Sequence, residues 1–201
     1  MKLGLILECP NQGTDHVVYE YVIKKICPDI DVIVIPSGTN NKPQMISNCG
    51  SIAQALLVSE KCDKVAILWD LIPTWGGKAC RKTDIDLITK NLIDAGLDLK
   101  NIKLICIEPE LEGWLIVEGK AITLYKTELW HPHPVQKFKG IRLAPQSGES
   151  KKEISRYLGY RYSDIIEAIR ITKKIDSFDK IASKNQSFGR LKEFIDQLCT
   201  N

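Results

Sequence analysis

Each of three short apolar stretches in this chain, at residues 3–7, 65–69 and 104–107, is followed directly by an acidic residue: Glu8, Asp70 and Glu108. Carboxylate oxygens are the ligands that Mg²⁺ and Mn²⁺ prefer, and a bound divalent cation can activate water and stabilise charge on a phosphoryl group. Without a cation, clustered carboxylates repel one another and raise one another's pKa. The three acids are therefore the candidate catalytic residues and the candidate ligands of Mg²⁺, or of Mn²⁺ in its place.

Other acids and two histidines stand close enough in the sequence to join such a site. Glu112 precedes Gly113-Trp114 and could turn inward, whereas Glu110 fits the start of a helix, and Asp15 lies at the mouth of the first predicted helix. We count Glu112 and Asp15 as candidate metal ligands. Helix capping and the helix dipole are an alternative explanation for any one of these acids. His131 and His133 could face one ion, but their flanking prolines favour a surface loop.

The apolar stretches also predict the elements that position the acids. Continuous apolar runs of this length are typical of strands buried on both faces, and we predict strands at 3–8, 31–35, 64–69 and 102–107. Helices are predicted between them, at about 14–27, 47–60 and 83–96. This alternation indicates an α/β fold with a mainly parallel sheet of about four strands flanked by helices. Ligand sites in such sheets lie just beyond the carboxyl ends of the strands, where the three acids stand.

The second part of the chain has a different pattern. Residues 126–148 have a loop-like composition, and helices are predicted at about 149–158, 163–175 and 188–198, which would form a helical C-terminal cap. With 201 residues, the chain most simply forms one domain, with a core at 1–125 and an extension at 126–201. Lys151, Lys152 and Arg190 in this extension could bind the phosphates of a nucleic acid, although basic pairs are also common on solvated surfaces.

The bulk composition excludes few functions. The net charge of +3 neither requires nor excludes a nucleic acid partner. The seven cysteines form no CxxC pair and suggest neither a zinc site nor a disulfide framework. The first apolar stretch is too short for a signal peptide, and no segment approaches the length of a membrane span. We therefore expect a cytoplasmic protein without a membrane partner.

Two motifs resemble a known group of proteins. The segment EPELEGWLI at Glu108–Ile116 is similar to a signature of small standalone Toprim-like proteins from bacterial defence and mobile-element gene clusters. The segment NQSFGRL at Asn185–Leu191 is similar to the C-terminal motif of the same group, which is related to the OLD- and RloB-type nucleases. The resemblance implies a Rossmannoid Toprim-like fold and Mg²⁺-dependent phosphodiester chemistry. It implies that Glu8 is the acid/base or metal-binding glutamate and Asp70 the first metal-binding aspartate.

The chain departs from the Toprim pattern at two places. Cys9-Pro10 stands where glycine usually follows the first glutamate, and Ile72 stands where the second acid of D-x-D is expected. The leading hypothesis is a metal-dependent nuclease that cleaves DNA or RNA, in a bacterial anti-phage or mobile-element defence system. The alternative is an inactive Toprim-like subunit that binds nucleic acid or a partner ATPase encoded nearby. A small-molecule phosphohydrolase on a generic α/β sheet is a third possibility.

Overall fold

A computed structural model describes residues 1–9, 13–34, 41–72, 80–139 and 149–200 of this chain. Its strands are β1 (Lys2–Leu7), β2 (Asp31–Val34), β3 (Lys64–Asp70) and β4 (Ile102–Ile107). They form one sheet in the order β2-β1-β3-β4, and every neighbouring pair is parallel. The prediction of an α/β fold with a parallel four-stranded sheet and helical flanks is confirmed.

The described α-helices alternate with the strands in the first part of the chain and follow one another in the second. In chain order they are α1 (Thr14–Ile26), α2 (Lys42–Gln54), α3 (Arg81–Asp94), α4 (Glu112–Val117), α5 (Gly119–Trp130), α6 (Ser150–Leu158), α7 (Ile169–Thr172), α8 (Asp179–Lys184) and α9 (Gln186–Cys199). Wider π-type turns extend α2 through Ala55–Ser59 and precede α7 at Asp164–Ala168. The helical C-terminal region is therefore present as predicted.

Both faces of the sheet are buried, because successive side chains of a strand point to opposite faces. Leu5, Leu7 and Leu68 pack with α1 and the C-terminal helices, whereas Ile67 and Trp69 pack with α2 and α3. The continuous apolar character of the strands follows from this two-sided burial. The parallel strands all end at the same edge of the sheet, so the residues that follow the apolar runs lie at that edge.

Two predicted helix starts and one predicted loop start were wrong. Helix α2 begins at Lys42 rather than near residue 47, because Asn41 caps it by accepting a hydrogen bond from the Gln44 amide at 3.0 Å. Helix α3 begins at Arg81, two residues before the predicted cap Thr83. Helix α5 extends to Trp130, into the segment predicted to be a loop. In each case the polar composition of the first or last turn obscured the helix.

Some predicted features lie outside the described residues. They are the turn at Pro10-Asn11, the end of the second strand from Ile35 to Gly38, the loop with Trp75 and Gly76-Gly77, and residues 140–148 of the predicted loop. Among the described helices, none is long and apolar enough to cross a membrane.

One disulfide joins the end of α1 to the end of α9, although the sequence suggested no disulfide framework. Cys27 follows α1 and Cys199 ends α9, and their Cα atoms are 5.9 Å apart. The sequence did not suggest this pairing, because the two cysteines are separated by 172 residues and share no motif. They meet because α1 and α9 pack on the same face of the sheet.

Candidate functional site

The three strand-end acids lie at the same edge of the sheet. Glu8 follows β1, Asp70 ends β3 and Glu108 follows β4, and these strands are adjacent and parallel. Glu8 and Asp70 are in direct contact, because the backbone amide of Asp70 donates a hydrogen bond to Oε1 of Glu8 at 3.2 Å. Of the three acids that the strand-end rule predicted, the structure thus brings Glu8 and Asp70 into contact.

Glu8 and Asp70 each have one buried carboxylate oxygen that lacks a hydrogen-bond partner among the described residues. These oxygens are Oε2 of Glu8 and Oδ1 of Asp70, and both are inaccessible. Burial raises the pKa of Glu8 to about 7. Burial, together with the negative charges of Asp15 and Glu8, raises the pKa of Asp70 well above its usual value. An unpaired buried carboxylate is unfavourable, so this pair is suited to a cationic partner.

Three more acids extend this pair into an acid cluster, which we define as Glu8, Asp15, Asp70, Glu110 and Glu112. Glu112 is 2% exposed and Glu110 is 6% exposed, so both point inward. Burial raises the pKa of Glu112 to about 7 and that of Asp15 to about 6, and it also raises the pKa of Glu110. Oε1 of Glu110 is a further buried oxygen without a partner in the described part of the chain.

Helix capping does not explain the positions of Asp15 and Glu112. The N-cap residue of α1 is Gly13, and that of α4 is Leu111. Neither helix start has a side-chain capping hydrogen bond. Both acids lie in the first turn of a helix, where the dipole favours negative charge. That preference does not require the negative charges of both acids to raise the pKa of Asp70, as they do. The prediction that Glu112 turns inward is confirmed. Glu110, which was expected at the start of a helix, precedes α4 and is buried as well.

Lys42, which was not predicted as a site residue, balances part of the negative charge on the α2–α3 side of the sheet. Its side chain is buried, and Nζ donates to the Leu71 carbonyl at 3.1 Å and to Oδ2 of Asp84 at 3.5 Å. Its positive charge also opposes the rise in the pKa of Glu8. Trp69 fixes Asp84 from the sheet by donating from Nε1 at 3.1 Å. The only sequence signal was the Asn-Lys-Pro start of α2.

Lys151 balances the acid cluster on the side of the C-terminal helices. Its Nζ lies 3.7 Å from Oε1 of Glu112 and 3.0 Å from Oδ2 of Asp164. Burial alone would lower the pKa of this ammonium group, but the two carboxylates outweigh that effect and raise it. Lys152, the next residue of α6, is exposed and faces away from these contacts. The predicted basic pair is therefore split between the site and the surface.

Glu108 has a different environment from the acid cluster. Its Oε1 accepts from Nη1 of Arg81 at 3.0 Å and from Nη2 of Arg190 at 2.8 Å. Nη2 of Arg190 also donates to the Cys106 carbonyl at 3.1 Å, at the end of β4. The structure thus places Glu108 at the predicted edge but pairs its carboxylate with two arginines.

The backbone of Glu108 is held by the start of α9. The Glu108 amide donates to Oγ of Ser187 at 3.1 Å, and the Glu108 carbonyl accepts from Nδ2 of Asn185 at 3.1 Å. The Ser187 hydroxyl donates to Oδ1 of Asn185 at 2.7 Å, which closes the network. Asn185 is also the N-cap of α9. The NQSFGR segment therefore positions the turn after β4.

The two motifs that carry the Toprim resemblance are in contact. Trp114 donates from Nε1 to Oγ of Ser187 at 3.0 Å, and its ring lies 4.7 Å from that of Phe188. A Cβ atom on Gly113 would come within 2.9 Å of Cδ of Pro109, so only glycine lets α4 approach the turn this closely. The residues of both motifs thus build one structural unit behind the acid cluster.

The oxygen donors of the acid cluster are of the chemical type that a hard divalent cation takes. Its buried oxygens without partners belong to carboxylates, which suit Mg²⁺ or Mn²⁺. In the described ranges, no group of three or more His, Cys, Asp or Glu side chains is placed so that it could hold a metal ion. Mg²⁺ commonly uses one or two protein carboxylates and keeps several waters, so a complete protein cage is not required. His131 and His133 follow α5, are exposed and lie outside the acid cluster.

Comparisons of this chain with protein-family models, with curated proteins and with solved structures found no significant match.

Proposed function

We propose that this protein is a metal-dependent nuclease of the Toprim type, which hydrolyses phosphodiester bonds of DNA or RNA in a bacterial anti-phage or mobile-element defence system. The observation that carries the proposal is the pair of strand-end carboxylates, Glu8 and Asp70, whose buried oxygens lack partners at one edge of a parallel sheet. The resemblance of residues 108–116 and 185–191 to Toprim-like proteins supports the same chemistry. The proposed compartment is the cytoplasm, where nucleic acid is available to it.

The residues proposed to hold the cation are Asp70 and Glu8, with Glu112 and Asp15 beside them. Bound Mg²⁺, or Mn²⁺ in its place, would activate a water molecule and stabilise the charge that develops on the phosphate. Glu110 adds a further buried oxygen to the same cluster. The earlier expectation that Glu108 is also a ligand becomes less favourable, because two guanidinium groups already share its Oε1.

The chain's own residues supply proton transfer and charge balance. Burial raises the pKa of Glu8 to about 7, so while its carboxyl group does not hold a cation it can both accept and release a proton at neutral pH. Lys151 supplies a positive charge on the opposite side of the acid cluster, beside Glu112. This charge favours the approach of an anionic backbone to an otherwise acidic site.

The missing second acid of D-x-D favours a site with a single cation. The Ile72 amide donates to the Pro109 carbonyl at 3.0 Å, so this position ties the end of β3 to the turn after β4. On the α2–α3 side of Glu8, the buried ammonium of Lys42 is already bonded to the adjacent Leu71 carbonyl. A fixed cation of the protein thus contributes positive charge there.

The presence of Ile72 in place of the second acid of D-x-D also supports a second candidate function. A Toprim-like chain that has lost a ligand could act as a subunit that binds nucleic acid or a partner ATPase without cleaving. Among the described residues, Lys42 and Lys151 would then balance the charge of the buried acids.

A cleavage assay separates the two functions. Purified protein is incubated with supercoiled plasmid and with single-stranded RNA in Mg²⁺, Mn²⁺ or EDTA, and Asp70→Asn serves as the matched variant. Metal-dependent cleavage that disappears in Asp70→Asn supports the nuclease. Nucleic acid binding without cleavage in either metal, with and without the ATPase encoded nearby, supports the non-catalytic subunit instead.

A further inference from the structure

We propose that Arg81 and Arg190, held together by Glu108, form a binding site for a backbone phosphate of the nucleic acid. We call these three residues the arginine clamp. The proposal rests on the proposed function, because it takes the nucleic acid as the ligand. It concerns binding alone, which requires neither a metal nor cleavage.

The two guanidinium groups of the arginine clamp keep N–H donors that can bind an anion. Both guanidinium groups donate to the same oxygen, Oε1 of Glu108, so two positive charges face one negative charge. Each guanidinium has five N–H donors. Among the described residues, Arg81 makes no other hydrogen bond, and Arg190 makes only one more, to Cys106. The side chains of Arg81 and Arg190 are 47% and 30% exposed, so a ligand can reach both.

Helix stability does not explain Arg81. It is the first residue of α3, and a positive charge at a helix N-terminus is opposed by the helix dipole. A partly exposed ion pair such as Arg81–Glu108 contributes little to stability. A cation placed against the dipole for so small a gain is better explained by a ligand. Arginine also suits phosphate, since its planar fork can bind two oxygens at once.

The arginine clamp lies beside the acid cluster along the same edge. Asp70 pairs in register with Ile107, the residue immediately before Glu108. A nucleic acid strand whose scissile phosphate is at Asp70 would pass the arginine clamp with a neighbouring phosphate. The negative charge of the acid cluster makes such a second contact necessary, because the cluster itself repels the backbone.

Binding in EDTA tests the arginine clamp without depending on cleavage. A fluorescein-labelled single-stranded oligonucleotide is titrated with protein, and anisotropy is measured over a range of salt concentrations. Arg81→Gln is compared with Lys82→Gln, a matched control that removes one positive charge from the adjacent residue. Lys82 is 83% exposed and pairs with Asp86 on the same helix, away from Glu108.

We expect Arg81→Gln to weaken binding about tenfold at low salt, the usual size for one charged hydrogen-bonded contact. It should also reduce the slope of log affinity against log salt by about 0.7, the value for one phosphate on a single strand. Lys82→Gln should change neither quantity, and Arg81→Lys should keep the slope while losing affinity. Equal affinity and slope in Arg81→Gln and Lys82→Gln would overturn the proposal, as would absence of binding by the unmodified protein. If binding follows the expected pattern but no cleavage occurs in Mg²⁺ or Mn²⁺, the arginine clamp stands and the nuclease proposal fails.

Discussion

Two neighbouring strand ends in this protein carry the same sequence signal but differ in electrostatics. At β1 and β3, Glu8 and Asp70 have buried oxygens without partners among the described residues. At β4, the carboxylate of Glu108 is shared by Arg81 and Arg190, and its backbone is bound by Asn185 and Ser187. An acid after a buried strand therefore has no fixed role. The partners that the rest of the chain brings to it decide whether it is available to a cation.

The largest expected effect is the difference between Asp70 and Glu108 in catalysis. Asp70→Asn should reduce metal-dependent cleavage by about a thousandfold or more, since a residue that holds the cation contributes several kcal/mol to the transition state. Glu108→Gln should reduce it less than tenfold, because its oxygen contacts arginines. Initial rates of plasmid and RNA cleavage measure both. Comparable losses would return Glu108 to the catalytic residues.

The next effect concerns the stability of the turn after β4. Ser187→Ala removes the acceptor of both the Glu108 amide and Nε1 of Trp114. Leaving buried donors unsatisfied should lower the free energy of unfolding by about 1–3 kcal/mol. Urea denaturation measures the change, with Ser183→Ala as the control, since Ser183 is exposed on α8 and bonds only the Lys180 carbonyl among the described residues. An equally small change in both variants would contradict the role given to Ser187.

A smaller effect is expected in the pH dependence of stability. The pKa of Glu8 is raised from 4.5 to about 7, so folding favours its protonated form. The stabilisation is present below pH 4.5 and is lost as pH rises through 7. Glu8→Gln, which is always neutral, should therefore melt at a higher temperature than the unmodified protein at pH 8 in EDTA, by on the order of a few degrees.

The same measurement with Mg²⁺ tests the cation. At pH 8, Mg²⁺ should raise the melting temperature of the unmodified protein and have little effect on Glu8→Gln, because a ligand that binds only the folded state stabilises it. At pH 5 the protonated acid cluster should respond weakly. A Mg²⁺ response that is equal at both pH values would argue against binding at the acid cluster.

The smallest expected effect separates the two lysines of α6. Lys152 is exposed, so Lys152→Ala should reduce the salt slope of oligonucleotide binding by at most about 0.7. Lys151 forms ion pairs with Glu112 and Asp164. The main effect of Lys151→Ala should therefore be a higher pKa of Glu112, because the positive charge of Lys151 lowers that pKa. Anisotropy titrations measure the slopes. An unchanged slope in Lys152→Ala would identify that lysine as solvated surface.

Local patterns were sufficient to predict the parallel sheet and the placement of the first two acids. The apolar runs of β1 and β3 imply burial on both faces, and helix-length connections between parallel strands bring their carboxyl ends to one edge. Glu8 and Asp70 were therefore expected at the same edge, and the adjacency of β1 and β3 brings them into contact. The helix boundaries were less certain, because the cap at Asn41 precedes a polar first turn that carries no apolar periodicity.

What the sequence by itself determined was thus the α/β architecture and the edge of the sheet at which acids gather, since both follow from local apolar patterns. Only the tertiary structure decided which acids have partners. Arg190 reaches Glu108 across 82 residues of chain, and Lys42 approaches the end of β3 from α2, in a segment that had been predicted to be a loop. The disulfide between Cys27 and Cys199 has the same origin. Such pairings depend on how helices pack on the sheet, and packing is a long-range property that residue spacing along the chain does not encode.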